Sequence, residues 1–94
     1  MSCTFYWAHN DGMSGHVWLS GRDVRALVDE MLVQGLPWPL ERFEGDSSIA
    51  VEELEAVIDS ADPRPKVMPD AKLWLDWLRF LEGAAANGGL LVRP

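Results

Sequence analysis

Between positions 73 and 81 only Asp76 and Arg79 are polar; Leu73, Trp74, Leu75, Trp77, Leu78, Phe80 and Leu81 are apolar. A helix built from this segment is apolar nearly all round. Such a helix has to be enclosed by its own domain or covered by a partner. Pro69 and Asp70 suit its first turn, Ala84, Ala85 and Ala86 extend it, and Asn87, Gly88 and Gly89 end it. The rest of the chain must supply the enclosure. With 94 residues it can bury roughly two-thirds of its unfolded surface, enough for one core. The reading is one globular domain over residues 1–94. Its apolar fraction of 48% and five tryptophans exclude a disordered chain.

The remaining segments sort by period. Residues 4–8 alternate, with Phe5 and Trp7 on one face and Tyr6 on the other, which predicts a strand. A turn segment over 9–16, centred on Asp11 and Gly12, leads to a second strand at Val17, Trp18 and Leu19. Ser20 and Asp23 stand three apart, as in a reciprocal capping box, with Leu19 and Val24 placed as a hydrophobic staple. Val24, Leu27, Val28, Met31 and Leu32 then form one stripe at helical spacing, and Gly35 stops the helix. Pro37, Trp38 and Pro39 break regular structure, and a short strand fits somewhere within 36–48. A second helix over about 50–60 turns Val51, Leu54, Val57 and Ile58 inward, leaving Glu52, Glu53, Glu55 and Asp59 outward. Leu90, Leu91 and Val92 return as a strand. The expected order is strand, strand, three helices, strand (ββαααβ). Three short strands then present one face to three helices in a small two-layer α+β domain.

The net charge of −7 is unevenly spread: residues 1–40 sum to −2, residues 41–62 to −7 and residues 63–94 to +2. Concentrated acid argues against nucleic acid as a partner, because phosphate recognition needs a basic footprint. No apolar run approaches the ~20 residues needed to span a bilayer, so no membrane partner is expected. The first residues carry no signal-like pattern, and the single cysteine excludes an internal disulfide. Together these point to the cytoplasm.

No arrangement carries catalysis. Cys3, His9, Asp11 and His16 are ligand types, but their spacing matches no zinc pattern and the histidines flank a turn. Gly12, Ser14 and Gly15 sit near a nucleophile-elbow spacing, yet His16 replaces the last glycine and a strand follows where a helix is required. Nothing beside Cys3 would lower its thiol pKa. Gly88 and Gly89 lack the lysine and following helix of a phosphate cradle. No cofactor, metal or catalytic residue is assigned.

Two surfaces remain. Glu41, Glu44, Asp46, Glu52, Glu55 and Asp59, with Trp38 as an apolar anchor, would steer and hold a basic protein, as in an immunity- or inhibitor-like role. The competing account makes this acid a solvated face only. The chain would then be an obligate subunit or a homodimer that buries the open sheet face, carrying Tyr6 and Trp18, or the third helix.

Overall fold

The computed structural model describes residues 2–9, 15–37 and 47–93. Its elements are β1 (Cys3–Trp7), β2 (His16–Leu19), α1 (Gly21–Val33), β3 (Ser47–Ile49), α2 (Val51–Ser60), α3 (Ala71–Ala86) and β4 (Leu90–Arg93). The ββαααβ order holds. The short strand left open within 36–48 begins at its very end, where Ser47, Ser48 and Ile49 pair antiparallel with β4. The sheet thus has four antiparallel strands in the order β2-β1-β4-β3. The last strand in sequence lies inside it, flanked by β1 and β3.

Alternation along the strands divides the residues between two faces. Cys3, Phe5, Leu19, Ile49, Leu90 and Val92 are buried beneath the helices. Thr4, Tyr6, His16, Trp18, Leu91 and Arg93 occupy the opposite face, since Thr4 lies across from Trp18 and Arg93, and Tyr6 from His16 and Leu91.

The domain itself encloses α3. Trp74, Trp77, Leu78, Leu81 and Ala84 are buried, and among the apolar residues of the segment only Leu75 counts as exposed. Trp77 meets Phe5 edge-on with ring centroids 5.0 Å apart. Trp7 lies against Phe80, and its indole N–H donates to the Phe80 carbonyl at 3.0 Å. That indole explains a glycine inside the helix: a Cβ on Gly83 would run into the Trp7 ring.

Three local expectations are refined. The Ser20 hydroxyl accepts from Asp23 N–H at 3.2 Å, whereas the acid-to-cap contact that completes a capping box occurs at α2 instead, from Ala50 N–H to Glu53 at 3.3 Å. The third helix starts after Asp70, whose carboxylate accepts from Leu73 N–H at 3.0 Å. Leu32, placed on the inward stripe of α1 by spacing alone, is 55% exposed. The helix is rotated so that Glu30 takes an inward position beside Leu27 and Met31, all three fully or almost fully buried.

Candidate functional site

The acidic surface is half in view. Trp38, Glu41, Glu44 and Asp46 lie outside the described residues. Glu52, Glu55 and Asp59 stand on α2, which is anchored from beneath by buried Leu54 and Val57. All three are exposed, and none makes an ion pair with a described residue. Glu52 and Glu53 in the first turn also suit the positive end of the helix dipole. Charge at Glu52, Glu55 and Asp59 is therefore held on a helix anchored in the core and is not ion-paired by any described residue.

The open sheet face is a second surface of different chemistry. None of the described strands carries an aspartate or glutamate. Trp18 is 62% exposed there. His16 stacks on Tyr6 with centroids 6.3 Å apart, and the Arg93 guanidinium lies 5.8 Å above the same ring. An apolar groove of about 230 Å³ separates β2 from α3, lined chiefly by Val17, Leu19, Leu73, Trp77 and Phe80. Pockets that engulf small organic ligands usually run to ~300–1,000 Å³, so this one is undersized for a cofactor.

The ligand-type residues are dispersed. Cys3 faces the core, while His16 belongs to the opposite face of the sheet. His9 lies beyond the far end of β1, ~20 Å of extended chain from Cys3. Burial pushes the Cys3 thiol above its ordinary range despite the nearby N-terminus. Asp11 falls outside the described residues, and among those described no group of three or more His, Cys, Asp or Glu could hold a metal ion. Among them, too, no helix is long and apolar enough to cross a membrane.

Among the described residues, the most densely bonded side chain was not legible in the sequence. Glu30 is completely buried, and its carboxylate accepts from the main-chain N–H groups of Lys66 at 2.7 Å, Val67 at 2.8 Å and Met68 at 2.9 Å. Gln34, one turn on, donates to it at 2.8 Å and accepts from Asp62 N–H at 2.8 Å. The Asp62 carbonyl takes the Trp74 indole N–H at 2.8 Å. Desolvation raises the Glu30 pKa, but the bonds from Lys66, Val67, Gln34 and Met68 outweigh it and hold the group below its ordinary value of 4.5. This clamp ties the α2–α3 connection to α1 and has no free valence for chemistry. Its one sequence signal was a glutamate three residues after Leu27 and next to Met31, on the edge of an apolar stripe.

Comparison with known proteins finds no counterpart: no family model, curated protein or solved structure matches this chain.

Proposed function

We propose that this chain is a non-enzymatic interaction domain of the cytoplasm that binds and restrains a protein with a basic surface, in the manner of an immunity protein or inhibitor. The observation that carries the reading is the outward row of Glu52, Glu55 and Asp59 on α2, exposed and without ion pairs among the described residues. The buried carboxylate is treated otherwise: Glu30 accepts from three main-chain N–H groups and the Gln34 amide. Unneutralised charge of one sign raises the encounter rate with an opposite surface by ~10–10³-fold at low salt. Glu41, Glu44 and Asp46 add to the same charge in the sequence, and Trp38 is the apolar anchor of the proposed contact.

The test immobilises the intact chain and recovers partners from cell extract beside a Glu52→Lys, Glu55→Lys variant. A basic protein should be retained by the first and lost from the second. With the purified pair, charge reversal should lower the association rate more than it raises the dissociation rate, whereas Trp38→Ala should act on dissociation. Affinity should fall as salt rises through the range where the Debye length shortens to ~8 Å. An acidic partner, or an affinity indifferent to salt, would overturn the reading.

A further inference from the structure

The two edges of the sheet are not alike. β3 is three residues long, and Ser47 and Ser48 both hold further partners. A very short edge strand is one of the ways proteins limit strand addition. On the outer side of β2, four residues long, no described residue makes a backbone hydrogen bond. His16, Val17, Trp18 and Leu19 include no lysine and no proline, and β2 is the outermost strand on its side.

The register specifies what this edge offers. Trp7 N–H donates to the Gly15 carbonyl at 2.7 Å, so Trp7 and Gly15 form a hydrogen-bonded pair. In an antiparallel ladder bonded and non-bonded pairs alternate. Phe5 with Val17 and Cys3 with Leu19 are then the bonded pairs. Ala8 N–H on the Gly89 carbonyl at 2.9 Å confirms the alternation from the other side of β1. The main-chain N–H and C=O groups of His16 and Trp18 therefore point away from β1, and no described residue takes them in a backbone hydrogen bond.

We propose that this edge pairs with the same edge of a second copy, joining two sheets into one antiparallel sheet about a two-fold axis at Val17. Two outward residues separated by one inward residue are self-complementary in one register. His16 faces Trp18 of the second copy and Trp18 faces its His16, each pair exchanging both N–H···O bonds, so every outward group of these two residues is satisfied. The occupant follows from charge as well. This chain has a net charge of −7, and approach through α2, which carries Glu52, Glu53, Glu55 and Asp59 and no basic residue, sets carboxylates against carboxylates. The β2 edge carries no aspartate or glutamate and avoids that contact. Pairing also places the Trp18 indole against His16 of the second copy and draws Val17 and the groove beside it toward the axis. Four residues of strand make a contact only ~14 Å long, much smaller than the patch of ~800 Å² per partner that a standard interface covers, so the dimer is a weak one. This inference does not rest on the acidic surface of α2, which follows the opposite edge strand in sequence.

Sedimentation of the intact chain across about 1–100 µM should move from the 10.5 kDa monomer toward twice that mass. Added salt should favour the dimer, because it screens repulsion between two −7 chains. That sign is opposite to the one expected for a basic partner, so either reading can fail alone. Trp18→Pro removes an outward N–H while leaving the pairing with β1, and should return the chain to monomer. Val17→Cys provides a readout independent of that variant's folding. Non-bonded antiparallel neighbours sit ~4.5 Å apart at Cα, within disulfide reach, so mild oxidation should cross-link it. Trp18→Cys, offset from its own symmetry mate, should cross-link poorly. A monomer at every concentration overturns the proposal. So does a dimer that salt dissociates, or one in which Trp18→Cys cross-links and Val17→Cys does not.

Discussion

Replacing Glu30 by glutamine changes no volume and tests whether the buried carboxylate organises the α2–α3 connection. The amide keeps one acceptor oxygen, which can still serve Val67 and Met68 N–H. The new NH₂ then faces two donors, Lys66 N–H and the Gln34 amide, where Oε2 had accepted both. Hydrogen bonds to a charged group contribute about 1.5–3 kcal/mol each, and stranded buried donors cost about 1–3 kcal/mol. Rearrangement recovers part of this, so Glu30→Gln should cost about 3–5 kcal/mol, the range seen when one partner of a buried ionic network is removed. A domain of this size is stable by about 5–15 kcal/mol, which makes the loss large but survivable. Urea unfolding followed by tryptophan fluorescence should place the midpoint about 2 M lower at a similar slope. Hydrogen exchange should locate the loss at the amides of Lys66, Val67 and Met68. The sign of the pH effect follows from the depressed folded-state pKa. The carboxylate contributes fully above its ordinary value of 4.5 and loses that contribution as pH falls through the lower folded value. The gap between wild type and Glu30→Gln should therefore narrow on acidification below that point. A midpoint change worth under about 1 kcal/mol at neutral pH would refute the clamp.

Ser20→Ala should cost about 0.5–2 kcal/mol, while Asp23→Ala should cost only the few tenths of a dipole contact, since the serine makes the capping bond. Equal losses in urea titrations would restore the reciprocal cap. Gly83→Ala should lower stability by about 1–3 kcal/mol although alanine is the better helix former, because Trp7 occupies the space a Cβ needs. A raised melting temperature would show that the Trp7 ring yields.

What the chain declared by itself was local. The stripe of Val24, Leu27 and Met31, the cap at Ser20 and the glycines at 88 and 89 each depend on neighbours within about one helical turn, where steric and hydrogen-bonding rules act without reference to the fold. Both glycines do adopt positive φ, at 86° and 119°. The fully apolar segment 73–81 likewise required enclosure, but not by what; that was decided by where α1, α2 and the sheet came to rest around it. Tertiary structure decided the rest. Ile49 became a core strand residue because β4 lay alongside it, not because three residues have a period. Leu32 turned outward because Glu30 found three main-chain donors 36 to 38 residues away. Those donors exist as a set only after α1 and the α2–α3 connection have met, so no window of sequence around Glu30 could contain them. The same holds for the candidate surfaces: residue types showed where charge and tryptophan were abundant, and strand order determined that Trp18 lies on an open edge while Trp74 and Trp77 lie in the core.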